Sequence, residues 1–257
     1  MRIIVSVILF GLLASGCRTT ASLQSTELVQ PVTVDAQLDE WAGKLSSIGG
    51  GDFSVGVQND GEFLYVGVST TNGQRIGQIM QLGMVLWIDP EGGKRKTFGV
   101  QYPIGIVTTS GSDGGLTSDP TANRIRIEQS MQEIALIGEN GQPFRRRKDA
   151  VPGITMHAEA DQRAFTYEAK IPLAPDEGFV YAIGTEPGRQ IGLSLATPEL
   201  DGQGLASQEG VGGLPGGRMT SADGRGRYGM YGMYSGAGAA PPTMNFWMIV
   251  SLVEHAQ

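Results

Sequence analysis

The chain has 257 residues, of which 19 are Lys or Arg and 26 are Asp or Glu, giving a net charge of −7. This acidic balance excludes a general electrostatic affinity for nucleic acid, which requires clustered cations. The single cysteine excludes an intramolecular disulfide framework, so an apolar core must supply the stability. After an apolar amino-terminal segment, about 240 residues remain, enough for one large domain or two small ones.

The amino terminus has the pattern of a secretory signal. Arg2 supplies a basic region, and residues 3–13 form an apolar run that is too short for a membrane-spanning helix of about 20 residues. Small residues at 14–16 precede Cys17, an arrangement that resembles the lipobox of bacterial lipoproteins. We therefore predict a lipoprotein signal peptide over residues 1–16 and lipidation of Cys17. The alternative is an ordinary signal peptide followed by an incidental cysteine.

The segment behind the cysteine indicates where the protein is held. Residues 17–31 are polar and lack a clear period, which is typical of a tether. An Asp directly after the cysteine commonly resembles an inner-membrane retention signal. This chain has Arg18 at that position. We therefore expect a secreted protein that is lipid-anchored at the cell envelope, in the outer membrane if the source has one, with its domain over residues 32–257.

Short segments of alternating apolar and polar residues follow, separated by Gly, Asn, Asp and Pro, and they indicate strands. Two of them flank N-D-G at 59–61, a strong hairpin signal. The apolar run at 83–89 predicts a strand buried on both faces, and residues 74–82 predict a helical turn. The other predicted strands are 52–58, 62–69, 97–102, 124–127, 133–137, 154–160, 163–171, 190–196 and 245–253. Together they predict an all-β fold, a two-sheet antiparallel β-sandwich of jelly-roll or immunoglobulin-like type.

Residues 202–240 differ from the rest because they are rich in glycine and contain few large apolar side chains. Ordering such a segment costs backbone entropy that little burial offsets. We predict a loop inserted before the last strand, and long loops of this kind are usually functional or disordered.

Six segments in order along the chain resemble the carbohydrate-binding module family 9-like domains, relatives of the DOMON-type sandwiches. The segments are V-D-A-Q-L-D-E-W at 34–41, N-D-G-E-F-L-Y-V at 59–66, I-D at 88–89, F-G-V-Q-Y at 98–102, F-T-Y-E-A-K-I-P at 165–172 and I-G-L-S-L at 191–195. The first of them has Ala36 where the family usually has glycine. The resemblance implies a β-sandwich whose sugar-binding relatives hold a terminal sugar between two tryptophans.

This chain departs from the family at those tryptophans. Residues 79–82, where the first is expected, contain no aromatic side chain, and the second position falls in the glycine-rich insertion. The candidate ligand-binding residues are Trp41, Tyr228, Tyr231 and Tyr234. For Trp41 a structural role is favoured over ligand binding, because the family's D-E-W segment packs against the sandwich. Trp87 and Trp247 lie in apolar strands, which favours core packing over ligand stacking.

The sequence contains few candidate residues for metal binding or catalysis. Asp35, Asp39 and Glu40 are clustered carboxylates of the kind that hold calcium, although no glycine-containing calcium loop surrounds them. Neither His157 nor His255 has a nucleophile motif nearby, so we predict no catalytic residues and no enzyme activity. We predict no cofactor, with calcium at these carboxylates as the alternative.

These observations favour a non-catalytic, lipid-anchored protein of the cell envelope that binds a glycan or polysaccharide. The alternative is an envelope interaction or assembly lipoprotein that uses the sandwich without a sugar site and binds another envelope protein. The basic run R-R-R-K at 145–148 predicts a solvated turn, or else a contact for an anionic partner. The membrane is reached through the amino-terminal lipid, and no nucleic acid is expected as a partner.

Overall fold

The computed structural model describes residues 20–28, 30–106, 119–161, 163–198 and 243–254. The predicted signal peptide, Cys17, the glycine-rich insertion with Tyr228, Tyr231 and Tyr234, and His255 lie outside the described residues. Among the helices of the described segments, none is long and apolar enough to cross a bilayer.

The strands of the described residues form two sheets packed face to face. They are β1 (Ala21–Gln24), β2 (Thr26–Glu27), β3 (Ser46–Ile48), β4 (Phe53–Asn59), β5 (Phe63–Thr70), β6 (Val85–Asp89), β7 (Phe98–Gln101), β8 (Glu133–Ile137), β9 (Pro143–Arg147), β10 (Thr155–Ala160), β11 (Phe165–Pro172), β12 (Gln190–Ala196) and β13 (Asn245–Ser251). The larger sheet has the order β1-β13-β12-β6-β7-β8-β9, and the smaller has β10-β11-β5-β4-β2 with β3 beside β4. The predicted two-sheet β-sandwich is confirmed. Its pairs are antiparallel except for β1 with β13 and β2 with β4, which are parallel.

The core lies between the sheets and receives every second side chain of the central strands. Leu86 and Ile88 of β6 and Leu193 of β12 enter it from the larger sheet, and Val66 of β5 and Phe165 of β11 enter it from the smaller. Burying one such side chain stabilises the fold by about 1.5–3 kcal/mol. The alternation also determines which side chains face outward, and the site described below depends on it.

The predicted hairpins are present, and aspartates close their turns. Between β4 and β5, which pair antiparallel, Asp60 Oδ1 accepts hydrogen bonds from the backbone N–H groups of Glu62 at 2.8 Å and Phe63 at 2.7 Å. Asp161 accepts in the same way from Ala164 at 2.7 Å, between β10 and β11. Aspartate favours turns because its carboxylate can bind nearby backbone donors.

One predicted strand is a helix. Residues 124–127, R-I-R-I, alternate with the period of a strand, but they lie within helix α2 (Pro120–Ser130). Asp119 begins this helix by accepting a hydrogen bond of 2.8 Å from the backbone N–H of Thr121, and proline occupies the first turn. Both are helix-start signals that outweigh a four-residue alternation. The predicted helical turn at 74–82 is confirmed as helix α1 (Gly73–Leu82).

Part of the predicted tether belongs to the sandwich. Within residues 17–31, strand β1 pairs with β13 at the edge of the larger sheet, and β2 pairs with β4 in the smaller. Ala21 and Leu23 pack against the core, while Ser22 is exposed. An alternation over four residues is too short to be recognised in a polar segment, which is why the sequence suggested a tether.

The basic run at 145–148 does not form a turn. Its arginines belong to β9, the exposed edge strand of the larger sheet, and every residue of β9 is solvent-exposed. Strand pairing with β8 supplies the hydrogen bonds of one side, so a chain with no buried side chain of its own still adopts the extended form.

Replacing Leu23 with alanine tests whether β1 is structural. We expect L23A to lower the free energy of unfolding by about 1–2 kcal/mol, less than the 2–5 kcal/mol of a fully buried leucine. Chemical denaturation of the chain from Thr19 onward measures this. S22A is the matched control and should leave the stability unchanged, because Ser22 is exposed on the same strand. If L23A and S22A were equally stable, β1 would not contribute to the fold and the interpretation of the segment as a tether would stand.

Candidate ligand-binding face

Trp41, a candidate ligand-binding residue in the sequence, is enclosed on the outer face of the smaller sheet. Its side chain is 0% exposed, and its indole N–H donates a hydrogen bond of 2.7 Å to Glu168 Oε1. The ring lies on Gly56 and Gly67, where an added β-carbon would come within 2.6 Å of it. The ring is fully buried, which supports the structural role that the sequence favours for Trp41 over ligand binding.

Glu168 holds the amino-terminal segment against the same face. Its Oε2 accepts hydrogen bonds from the backbone N–H groups of Asp35 at 2.9 Å and Ala36 at 2.7 Å. Burial raises the pKa of Glu168 above its ordinary value, and the hydrogen bonds from Trp41 and the backbone oppose that shift. We call this arrangement of Glu168, Trp41, Asp35 and Ala36 the Glu168 clamp. It explains two of the six family-like segments as structural features.

The three calcium candidates do not converge on a common point. Asp35 Oδ1 accepts from the backbone N–H of Gln37 at 2.8 Å, and Glu40 Oε1 accepts from that of Thr33 at 3.3 Å. Asp39 is exposed. Across the described residues, no group of three or more His, Cys, Asp or Glu side chains could hold a metal ion. The calcium prediction therefore finds no support in this part of the chain.

Trp87 and Trp247 lie on the outer face of the larger sheet, outside the main core. In β6, Leu86 and Ile88 point into the sandwich, so Trp87 between them points outward. Trp247 faces outward from β13 for the same reason. Ser194 of β12 is paired with both tryptophans, which places their backbones about two strand spacings, or about 10 Å, apart. Core packing, which the sequence favours for both rings, is found for Trp87, which is buried with Val85, Ile137 and Ala196 in a small apolar cluster of this outer face, whereas Trp247 is only partly buried against that cluster.

The surroundings of the two rings differ in exposure. Trp87 is 7% exposed and lies over Gly99, where an added β-carbon would come within 2.7 Å of the ring. Trp247 is only partly buried and packs against the small apolar cluster formed by Val85, Trp87, Ile137 and Ala196. Asn245 is exposed, and Ser194 Oγ donates a hydrogen bond of 3.3 Å to its Oδ1. We call Trp87, Trp247, Ser194 and Asn245 the tryptophan face.

The turn between β6 and β7 folds over one end of this face. Asp89 is fully buried and fixes the turn: its Oδ2 accepts from the backbone N–H of Arg95 at 2.8 Å, and its Oδ1 from that of Glu91 at 3.1 Å. The carbonyl oxygen of Gly93 packs so closely on Gly192 of β12 that an added β-carbon there would lie 1.9 Å from it. The turn thus packs on the outer face of the larger sheet, and the tryptophan face lies beside it.

Two lysines of this turn reach toward the tryptophan face. Lys94 Nζ donates a hydrogen bond of 2.5 Å to Thr20 Oγ1. Thr20 directly precedes Ala21, which is paired with Met248, so it stands beside Trp247 at the sheet edge. Lys96 Nζ lies 5.7 Å from the centre of the Trp87 ring. The sequence places these residues between the predicted strands 83–89 and 97–102 but carries no signal for where the connecting segment folds.

The chain enters and leaves the glycine-rich insertion at the opposite end of the same face. The backbone N–H of Thr197 donates to Met244 O at 3.0 Å, and that of Met244 donates to Thr197 Oγ1 at 3.2 Å. This pair closes the ends of β12 and β13, next to Asn245. Tyr228, Tyr231 and Tyr234 lie outside the described residues and stay predictions.

A wide depression elsewhere on the sandwich is less suited to a ligand. Its volume is about 780 Å³, and it is lined by Pro90, Glu91, Ala174, Gly184, Thr185, Glu186, Gly188, Arg189 and Gln190. Arg189 and Glu186 pair there at 3.1 Å, with both side chains 69% exposed. The depression thus has no aromatic lining and an exposed ion pair, whereas the tryptophan face offers a partly buried ring.

No protein-family model and no curated protein matches the chain. Among solved structures, it is similar to a family 9 carbohydrate-binding module from Caldicellulosiruptor kristjanssonii in complex with glucose, at 13% identity and a TM-score of 0.35, over 71% of this chain and 81% of that one. Such a module from the same organism with cellotriose matches at 12% identity and 0.34, over 72% and 80%. A Bacteroides uniformis protein, provisionally assigned to carbohydrate binding, matches at 10% and 0.36, over 70% and 84%. Two of these three belong to the family that the six sequence segments resemble.

Replacing Glu168 with glutamine tests the clamp. The amide keeps the shape, but its NH₂ group would face an N–H donor, so we expect E168Q to lower the free energy of unfolding by about 2–4 kcal/mol. Denaturation at pH 7 measures this, with E159Q as the matched control because Glu159 is exposed on the neighbouring strand β10. A loss shared equally by both variants would contradict the clamp.

The difference in unfolding free energy between the wild type and E168Q is expected to depend on pH. Because the pKa of Glu168 is raised in the folded protein, its contribution to stability is fully present below the unfolded-state pKa of about 4.3 and declines as the pH rises through the folded-state value. The stability difference between wild type and E168Q should therefore shrink from pH 4 to pH 7. A difference that grows over this range would show that the hydrogen bonds outweigh burial.

Proposed function

We propose that this protein is a non-catalytic carbohydrate-binding β-sandwich, secreted and held at the bacterial cell envelope by a lipid on Cys17. One observation carries the binding role: on the tryptophan face, the partly exposed ring of Trp247 lies beside the exposed amide of Asn245. Sugars have apolar C–H faces and polar edges, so they match an aromatic ring with a neighbouring hydrogen-bonding group.

The rigidity of the tryptophan face supports this role. Trp247 is on a strand paired on both sides, with β12 and with β1, and its neighbour Trp87 is packed over Gly99. A ring already held in place loses little conformational entropy when a ligand binds. Binding surfaces built on strands are also more precise than those built on loops.

The carboxylates near the face favour binding over hydrolysis. Glycoside hydrolases commonly need two carboxyl groups about 5–10 Å apart across the scissile bond. Of the outward-facing carboxylates on β6 and β8, Asp89 is buried in its own turn, and Glu133 stands opposite Arg147 of β9. Neither faces the other across Trp247.

Removing the Trp247 ring tests the proposed site. We expect W247A to weaken binding to polysaccharides by about 10- to 100-fold, the usual cost of losing a central aromatic contact, and W247F to retain most of it. An array of neutral and acidic polysaccharides followed by calorimetry measures this, with unchanged melting temperature as the folding criterion. F144A is the matched control, because Phe144 is an aromatic side chain 41% exposed at the sheet edge.

A second pair of variants separates the tryptophan face from the insertion. If Y231A/Y234A abolishes binding and W247A does not, the site lies in the glycine-rich insertion and the proposed function stands with a different site. If a well-folded protein binds no polysaccharide at all, the carbohydrate-binding function itself is wrong.

Strand β9 favours a second candidate function, the assembly role. Among the described strands it is the outermost of the larger sheet, and it is fully exposed. It carries Arg145, Arg146 and Arg147 beside the exposed Phe144, and Arg147 pairs with Asp149 at 2.8 Å. An exposed edge can pair with a strand of another protein, and an acidic strand would complement these arginines.

A crosslinker tests this second function in cells. A photoreactive residue at Phe144 should give one stoichiometric adduct with an envelope protein, and the additional change R145E/R147E should remove it. The same crosslinker at Val180, which is 75% exposed, serves as the control. Diffuse adducts at both positions, or none at Phe144, would exclude a partner at this edge.

A further inference from the structure

The two lysines of the β6–β7 turn lie toward the tryptophan face. Lys96 lies 5.7 Å from the centre of the Trp87 ring, and Lys94 binds Thr20, the residue before Ala21, which is paired with Met248 next to Trp247. Trp247 and Trp87 are both paired with Ser194, so their backbones lie about 10 Å apart on the same sheet face.

The backbone that carries these lysines is fixed to the sheet. Asp89 accepts two backbone hydrogen bonds within the turn, and the carbonyl oxygen of Gly93 rests on Gly192. Lys94 is held further by its bond to Thr20. Because these contacts fix the turn on the sheet, they also keep the ammonium groups of Lys94 and Lys96 on the side of the tryptophan face.

The local charge opposes the charge of the whole chain. The net charge is −7, which repels anions at long range. On the turn, the carboxylate of Asp89 is buried and engaged by Arg95 and the backbone, which leaves Glu91 as its exposed acidic side chain against Lys94, Arg95 and Lys96. In a chain whose overall charge is negative, the turn itself thus carries three basic side chains and one exposed acidic side chain.

We infer that the tryptophan face selects glycans that carry anionic groups, either carboxylates on the sugar ring or sulfate esters. This inference rests on the proposed function and names its ligand class. A sugar stacked on a tryptophan projects its substituents outward from the ring edge, where the ammonium group of a neighbouring lysine can meet an anionic oxygen. Lysine is a compact point charge that accepts either anion without the planar match that arginine requires.

Matched pairs of polymers test the inference with the full-length mature chain. Polygalacturonate is compared with its methyl ester, which has the same backbone without the charge, and dextran sulfate is compared with dextran. We expect the anionic member of at least one pair to bind roughly tenfold tighter at low salt, the effect of two surface charge contacts. The preference should weaken as salt is raised. The pair that shows it identifies carboxylate or sulfate as the recognised group.

Variants assign the preference to the two lysines. K94Q/K96Q should abolish the anionic preference and leave the binding of the neutral polymer unchanged. R163Q/K170Q is the matched control, because it removes two positive charges from the smaller sheet and its turn. The melting temperature of each variant is measured alongside, so that a loss of folding is not mistaken for a loss of selectivity.

The outcomes separate this inference from the proposed function. Equal binding of charged and uncharged members, lost in W247A, would overturn the anionic selectivity and keep the carbohydrate-binding role. An anionic preference that falls equally in R163Q/K170Q would also overturn it, because the effect would then come from net charge. Absence of binding to all four polymers by the folded protein would count against both.

Discussion

The carboxylate of Asp89 is the interaction on which the arrangement of the candidate site depends. It closes β6, accepts two backbone hydrogen bonds from the turn that follows, and has no exposed surface. Each hydrogen bond to a charged acceptor contributes about 1.5–3 kcal/mol, and a buried carboxylate without such donors would be strongly unfavourable. The turn must therefore fold back toward β6, and in doing so it covers Gly192 and brings Lys96 to the Trp87 ring and Lys94 to Thr20.

The outer faces of the two sheets differ in how they are covered by the rest of the chain. On the smaller sheet, Trp41, Phe63 and Tyr65 form a cluster that is covered by side chains of the amino-terminal segment, and the Glu168 clamp holds that segment in place. On the larger sheet, the β6–β7 turn folds over one end of the outer face, where Gly93 packs on Gly192. The two outer clusters therefore differ in exposure. One is sealed and structural, and the other keeps part of Trp247 exposed.

The sequence predicts those parts of the fold in which local chemistry and tertiary structure agree. The hairpins were predictable because aspartates at Asp60 and Asp161 close their turns next to clear alternation. The direction of Trp87 was not predictable, because Val85 to Ile88 is apolar on both faces and only the register with Ser194 distinguishes outside from inside. The path of the β6–β7 turn was equally hidden, since its contact with Gly192 joins residues far apart in the chain. Family resemblance supplied the sandwich and the structural role of Trp41, while the tyrosine candidates lie outside the described residues.

The place of β1 has a geometric consequence for a protein anchored at Cys17. Thr20 is three residues from that cysteine and already stands beside Trp247, and three residues of chain reach no further than about 11 Å. With a lipid on Cys17, the tryptophan face would lie within headgroup distance of the bilayer and could not swing freely on a long linker. Such a protein would sample only sugars displayed at the membrane surface itself, such as those of glycolipids or of polymers lying against the leaflet. Chains projecting far into the surroundings would be out of its reach.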